Sequence, residues 1–293
     1  MSVTTTTKNE TLELQKASPG ESRERSPGTR RSRVTPIGTH RAMLVVPPLL
    51  LAVILLVSWY VVSWYASTTS GSVQVLLLPT PSEVFATLAD GLTSGLFLSN
   101  ALMTIQESLL GFLLGVIVAL PLGYGIAKSR LFAATVQPYL AAGQAIPAIV
   151  IAPILVLWLG YGLLPITILC MLVVFFPMVI TTALGVQTID YAYTDAARVE
   201  GASGWSMLAH IEFPLALPAI LAALRTGLTP SITGALVGEF VSNSGQGLGA
   251  LVFQAKDQFN APLMFATLII LAGLAAAYFS ASWLLVKLAD IVY

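Results

Sequence analysis

The sequence has very little charge. Asp, Glu, Lys and Arg make up 10% of its 293 residues, and 56% of the residues are hydrophobic. A soluble domain carries about 25% charged residues, so this composition excludes an ordinary soluble domain and predicts a polytopic membrane protein. The formal net charge is zero. Because nucleic-acid-binding proteins carry an excess of positive charge, we expect no nucleic acid partner.

Cysteine and histidine are also scarce. The one cysteine, Cys170, lies in an apolar run, and the two histidines are His40 and His210. This excludes a disulfide framework within the chain and leaves no cysteine–histidine set for a metal, so we expect neither a metal nor a cofactor. The sequence contains no G-x-x-x-x-G-K-[ST] phosphate loop. We therefore expect a non-enzymatic subunit that leaves ATP hydrolysis to another protein.

The N-terminal tail, residues 1–41, differs from the rest of the chain. It is rich in Thr, Ser, Arg and Glu and has few large apolar residues. We predict a disordered cytoplasmic tail without a cleaved signal peptide, followed by a transmembrane domain over residues 42–293.

A transmembrane helix needs about 20 apolar residues. Between Arg130 and Asp190 the sequence has no charged residue, a length that fits two crossings with a tight turn at Gly160-Tyr161-Gly162. The sequence predicts an all-α integral membrane protein with six transmembrane helices: Ala42–Tyr65, Leu109–Ala127, Tyr139–Leu159, Leu164–Val186, Leu217–Phe240 and Leu263–Leu288.

Basic residues near the ends of the six predicted helices fall mainly on one side of the membrane. The tail is basic, Lys128 and Arg130 follow the second helix, Arg198 follows the fourth, and only Lys256 lies in a loop on the other side. Cytoplasmic loops carry the excess of Lys and Arg. We therefore predict that both termini and the loop at residues 187–213 are cytoplasmic. Ala66–Ser108 and Val241–Pro262 are then extracytoplasmic, and Ser82 is expected to cap a short helix there.

The predicted cytoplasmic loop is the most charged segment after the tail. Its five charged residues would cost on the order of 10 kcal/mol to bury in lipid, so the loop lies in water. We expect Thr194 to cap a first helix that Gly201 ends, and a second helix to run from Ser203 to about Ile211. Pro214 is then expected to mark the start of the fifth transmembrane helix.

The spacing within this loop resembles the Glu-Ala-Ala motif of the inner-membrane permeases of ABC importers. The matching residues are Asp195, Ala196, Ala197, Gly201, Ile211, Phe213 and Pro214. Asp195 stands where Glu is usual, and Phe213 stands where Leu is usual. The resemblance covers Leu78–Leu288 and includes Leu78-Pro79-Thr80-Pro81-Ser82, the stretch from Gln144 to Gly162, and Glu239 with Gly247-Leu248-Gly249.

The resemblance implies the permease fold of type I ABC importers, in which these loop residues form a coupling helix. It also implies four kinds of contact. Two cytoplasmic ATP-binding subunits would each take a loop helix into a groove. A second permease copy, in a homodimer, or a close relative of this chain would complete the pathway, an extracytoplasmic solute-binding protein would deliver the substrate, and lipid would surround the helices.

The sequence gives less evidence for the residues that line the substrate pathway than for the loop residues. Four polar residues in or near the predicted helices are candidates: Gln144, Ser231, Thr233 and Glu239. Glu107 is expected near the outer interface in a structural role, and Arg225 can extend its guanidinium toward the cytoplasm. Ser231, Thr233 and Gln144 could equally form hydrogen bonds between helices.

The branch of the family that the sequence resembles handles nitrate, sulfonates, taurine, thiamine-related pyrimidines and riboflavin. The stretch from Gln144 to Gly162 favours the vitamin and pyrimidine members. A secondary transporter is the alternative from another class, although it needs mid-membrane carboxylates to couple ions. An intramembrane serine protease, suggested by Gly201-Ala202-Ser203-Gly204, would need a histidine beside a serine within the membrane.

Overall fold

A computed structural model describes residues 41–69, 78–242 and 245–292, and this part of the chain is helical without strands. The predicted tail lies outside the described residues except for Arg41. The chain divides into two units, residues 1–53 and 54–293, and of the first unit the structure describes only the beginning of the first helix. The helices are α1 (Arg41–Thr69), α2 (Pro81–Thr93), α3 (Leu96–Lys128), α4 (Arg130–Ala145), α5 (Ala148–Leu159), α6 (Leu163–Gln187), α7 (Tyr191–Val199), α8 (Gly204–Met207), α9 (Phe213–Ser242), α10 (Leu248–Asp257) and α11 (Ala261–Val292).

Several of these helices are long and apolar enough to cross a membrane, as the composition predicts. Within the described residues they are α3, α6, the helix from Gly204 to Ser242, and Ala261–Leu284 of α11. The bent pair α4–α5 adds a fifth candidate, and α1 contains a shorter apolar stretch, Leu50–Ala66. The all-helical membrane class is confirmed, while the number of six crossings stays a prediction.

The third predicted helix, Tyr139–Leu159, is not continuous. α4 ends at Ala145, α5 begins at Ala148, and the two meet at 95°. Pro147 has no N–H for a helical hydrogen bond and disfavours helical angles in the residue before it. Ile146 accordingly has φ −83° and ψ 118°, an extended conformation.

The segment before the second transmembrane helix is more helical than expected. Thr80, not Ser82, caps α2: its hydroxyl accepts a hydrogen bond from the Glu83 N–H, and the Glu83 carboxylate accepts one from the Thr80 N–H at 2.9 Å. Pro81 occupies the first helical position, where its missing N–H costs nothing. α3 then begins at Leu96 instead of Leu109, and α10 forms within a segment for which no helix was predicted.

The centre of the bundle is α6, which packs between α3 and α9. Cys170 of α6 is fully buried between two glycines. A Cβ on Gly111 of α3 would overlap the Cys170 side chain, and a Cβ on Gly234 of α9 would lie 2.8 Å from the Cys170 Cα. Small residues of this kind let helix backbones approach closely in a membrane.

The contact continues along both neighbouring helices. On α3, Gly115 faces Val174 and Gly123 faces Thr182, and on α9, Gly227 faces Met178. Gly111 and Gly115, one turn apart on α3, therefore lie on the face that packs closely against α6. Since α6 holds α3 and α9 at fixed spacing, it also fixes which polar residues of those two helices meet at the ends of the bundle.

Candidate functional site

The loop between α6 and α9 is ordered and helical, as its sequence predicts, but its first helix starts earlier. Asp190 is the N-cap of α7, and its carboxylate accepts a hydrogen bond from the Ala192 N–H at 2.9 Å. Thr194 was the expected cap. It lies instead within α7 and is buried, because the helix already begins at Asp190, a residue type that favours the N-cap position.

The first four residues of the Glu-Ala-Ala resemblance, Asp195 to Ala197 and Gly201, lie on α7 and directly after it. Asp195 and Ala196 are exposed, and the Asp195 carboxylate pairs with Arg198 at 2.8 Å on the same helix. Ala197 is buried against the rest of the loop. Gly201 ends the helix region with φ +93°, and a Cβ there would touch no atom within 4 Å. The small residues thus leave the outer face of the loop open.

Large apolar side chains project from this open face, and sequence reasoning did not single them out. Val199 is 90% exposed, Trp205 is 77% exposed and Tyr193 is 60% exposed. In a loop whose charged residues exclude it from lipid, such exposure is characteristic of a surface that another protein covers. The sequence does contain a signal for this surface, since apolar residues stand among charged residues at 190–212.

The second half of the loop runs without a break into the membrane helix. α8 continues through a π-helical segment, residues 208–212, into α9, so Ile211, Phe213 and Pro214 belong to one rod. This corrects the expected helix end at Ile211. The wider π turn gives the Phe213 N–H the carbonyl of Leu208 as its partner, five residues back. This π turn stands immediately before Pro214, a residue without an N–H for a helical hydrogen bond.

Glu212, the last residue of the π segment, fixes the rod to α3. Its side chain is 5% exposed, its Oε1 lies 2.6 Å from the Lys128 Nζ, and its Oε2 accepts a hydrogen bond from the Tyr124 hydroxyl. A carboxylate buried to this degree is stable only when it is paired and hydrogen-bonded. Lys128 and Tyr124 were missed as functional candidates because they lie far from Glu212 in sequence.

At the opposite end of the same two helices lies a second polar cluster, around Glu239 of α9. The Glu239 carboxylate is fully buried. Its Oε1 accepts a hydrogen bond from the Thr104 hydroxyl at 2.6 Å, and its Oε2 accepts one from the Gly249 N–H at 2.5 Å. Glu239 therefore acts as an acceptor for the first turn of α10.

The other free N–H groups of α10 are satisfied by α3. The Gly247 N–H donates to the Asn100 side-chain oxygen at 2.8 Å, and the Leu248 N–H donates to the Thr104 hydroxyl at 2.9 Å. Gly247 has φ +103°, and a Cβ there or on Gly249 would collide with the Glu239 carboxylate. The Gly-Leu-Gly stretch and Glu239, separate in the sequence, thus form one structural unit.

The remaining pathway candidates do not converge in this conformation. Ser231 is buried, and its hydroxyl donates to the Leu228 carbonyl within α9. Thr233 is exposed on another side of the same helix. Gln144 is exposed at the α4–α5 break, where it contributes to the lining of an open cavity of about 400 Å³.

Glu107 lies further inside a helix than the sequence indicated. Since α3 begins at Leu96, Glu107 is well inside the helix and fully buried. The start of this helix was predicted thirteen residues too late, at Leu109.

Comparisons with known proteins identify the class. Residues 111–293 match the family described as binding-protein-dependent transport system inner membrane component. The chain belongs to this family and is an inner-membrane permease of an ABC importer.

Individual relatives and solved structures agree. The chain is 37% identical to the riboflavin transport system permease protein RibX of Chloroflexus aurantiacus over 78% of this chain and 84% of the relative. It is 30% identical to the formylaminopyrimidine transport permease protein ThiX of Halalkalibacterium halodurans over 71% and 82%. The fold resembles that of a chain in an inward-facing MetNI methionine ABC transporter, with a TM-score of 0.57, 20% identity, and coverage of 67% of this chain and 96% of that one.

The Glu212 contact yields a prediction about the loop. Replacing Lys128 by Met should leave the buried carboxylate without its cation, at a cost of about 1.5–3 kcal/mol. Local opening of the loop then rises by roughly ten- to a hundredfold, and with it the rate of tryptic cleavage after Arg198. Limited proteolysis of the purified protein in detergent measures this rate.

Lys256→Met is the matched control, because it removes an exposed ion pair with Asp257 at the other end of the bundle. It should leave cleavage after Arg198 unchanged. Equal cleavage rates in the Lys128 variant and the wild type would contradict the anchoring role of Glu212.

Proposed function

We propose that this permease forms, as a homodimer, the pathway through a bacterial cytoplasmic membrane for a small solute. Two cytoplasmic ATP-binding subunits dock on the loop at residues 187–213, an extracytoplasmic solute-binding protein delivers the substrate, and both termini face the cytoplasm. The family membership supports the ATPase and binding-protein partners. The distribution of Lys and Arg supports the orientation.

The observation that carries the coupling mechanism is the continuity of the loop with the membrane helices. The helix from Gly204 to Ser242 begins in the loop and ends at the far side of the bundle. Glu212 ties its base to Lys128 and Tyr124 of α3. When two ATPase subunits close on ATP and displace the loop, α9 and α3 are moved together, and α6 is moved with them because it is packed between both.

Within the loop, we assign docking to the exposed face that carries Asp195, Ala196 and Gly201. Ala197 supports this face from beneath, and Ile211, Phe213 and Pro214 lead from it into α9. The exposed side chains of Val199 and Trp205 supply apolar area for an ATPase groove.

Replacing Gly201 by Asp should abolish docking, since a carboxylate would be added to a face that the groove must approach closely. We expect the ATPase subunits to be lost when the tagged permease is purified, while the amount of permease in the membrane is unchanged. Co-purification followed by ATPase assay measures both quantities.

Gly95→Asp is the matched control. Gly95 also has positive φ and no atom within 4 Å of an added Cβ, so both variants carry the same backbone penalty of roughly 1–2 kcal/mol. Only the Gly201 variant should lose the ATPase. Retention of the ATPase by both variants would refute docking at this face.

For the substrate, we propose a vitamin or vitamin precursor such as riboflavin or a thiamine-related pyrimidine. The support is the similarity to permeases whose names specify riboflavin and formylaminopyrimidine transport. The same transporter class for nitrate, taurine or alkanesulfonates is the alternative.

The pathway is proposed to include Gln144, Ser231, Thr233 and Glu239. Gln144 and Thr233 are exposed in this conformation. Ser231 and Glu239 are buried, so they would reach a solute only in a conformation in which neighbouring helices separate. Such a change is what alternating access between the two sides requires.

Uptake of labelled riboflavin into cells that express the complete transporter should be saturable, should require ATP and should be lost with the Gly201→Asp variant. Labelled taurine serves as the competing probe. Uptake of taurine without riboflavin or pyrimidine would favour the alternative substrates. Uptake driven by an ion gradient without ATP would instead indicate a secondary transporter.

A further inference from the structure

Two glutamates from different helices lie together in the interior of the bundle. Glu107 of α3 and Glu239 of α9 are both fully buried, and Glu107 lies one helical turn from Thr104, whose hydroxyl donates to the Glu239 carboxylate at 2.6 Å. Neither forms an ion pair with any residue that the structure describes. The closeness of the two carboxyl groups therefore needs an explanation, because two buried carboxylate anions without a cation beside them would repel each other strongly.

The surroundings distinguish the two groups. Glu239 accepts hydrogen bonds from the Thr104 hydroxyl and from the Gly249 N–H at the start of α10. These two donors and the positive end of a helix dipole favour the carboxylate form of Glu239. If Glu239 were protonated, its own O–H would point toward groups that are hydrogen-bond donors themselves, which is unfavourable.

Glu107 has the opposite environment. Among the described residues, no N–H or O–H group donates to either of its oxygens. An ionised carboxylate without any donor in a membrane interior would be far more costly than a neutral acid. One turn away on the same face of α3, Thr104 donates to the Glu239 carboxylate, which places this hydrogen-bond acceptor beside Glu107.

Other titratable groups near the pair do not change this assignment. Cys170 of α6 lies close enough to interact electrostatically with both carboxyls. Tyr278 of α11 is hydrogen-bonded at 2.7 Å to Ser108, the neighbour of Glu107. Both residues are neutral in their ordinary form at pH 7, so neither supplies the missing positive charge.

We propose that Glu107 and Glu239 form a proton-binding site, in which a neutral Glu107 holds one proton and donates it to the Glu239 carboxylate. The site bears a single negative charge shared between two side chains. It joins α3 to α9, and through Glu239 it fastens the first turn of α10 to both. Glu107 is thus a positioning residue for the carboxylate that caps α10.

A glutamine at position 107 should replace the neutral acid, because its amide also offers a hydrogen-bond donor and no charge. We expect Glu107→Gln to be produced at wild-type levels and to show no decrease in melting temperature. Infrared spectra of the full-length protein in detergent should contain the C=O stretching band of a protonated carboxyl group at neutral pH. The Glu107→Gln variant should lose that band.

Glu83→Gln is the matched control, since Glu83 is an exposed acid that accepts a hydrogen bond at the start of α2. This variant should keep the band. A band that persists in Glu107→Gln, or is absent from the wild type, would overturn the proposal. The proposal would also be overturned if the Glu107→Gln protein unfolded at a temperature at which the Glu83→Gln protein is still folded. The amide of glutamine would then not replace a neutral carboxyl group. None of these results depends on the ATPase or the substrate.

Discussion

The close approach of α6 to α3 and α9 is the constraint on which the rest of the structure depends. In lipid, helices gain little from apolar contact alone, and small residues that permit tight packing decide which helices meet. Gly111, Cys170 and Gly234 bring three backbones together at one level. A side chain larger than glycine at either flank would force the helices apart and separate the polar residues that they align.

The alignment puts one polar contact between α3 and α9 at each end of the bundle. At the loop end, Glu212 is held by Lys128 and Tyr124, and at the other end Glu239 is held by Thr104 and by the first turn of α10. Each contact contains a buried carboxylate, whose loss of hydration must be offset by its partners. These two contacts therefore join α3 to α9 at both ends of the bundle.

Much of this architecture could be predicted from local signals. The absence of charge over long apolar runs predicts the membrane class, and the spacing from Asp195 to Pro214 predicts the family. Pro147 offers a local signal that was not used: its effect on Ile146 is enough to break the third helix. The N-cap of α7 was predicted at Thr194 instead of Asp190. Both residue types favour an N-cap, and only the backbone conformation decides between them.

The polar clusters could not be predicted in the same way, because their members come from distant parts of the chain. Nothing local connects Glu239 with Thr104, or Glu212 with Tyr124, and each pair depends on how α6 spaces its neighbours. The same is true of Glu107, whose burial follows from the early start of α3. The solute-binding residues stay a proposal for a related reason, since Gln144 and Thr233 are exposed on different helices and do not meet in this conformation.

The most direct test of the account is a cross-link between the loop and the ATPase in the assembled transporter. Val199→Cys places a thiol at a 90% exposed position, and the native Cys170 is buried. The account predicts that a bifunctional thiol–amine reagent joins this cysteine to an ATPase subunit. It predicts no such product for Tyr161→Cys, which is 77% exposed in the turn between α5 and α6 at the opposite end. A cross-link from position 161 alone would contradict the assignment of the loop as the ATPase contact.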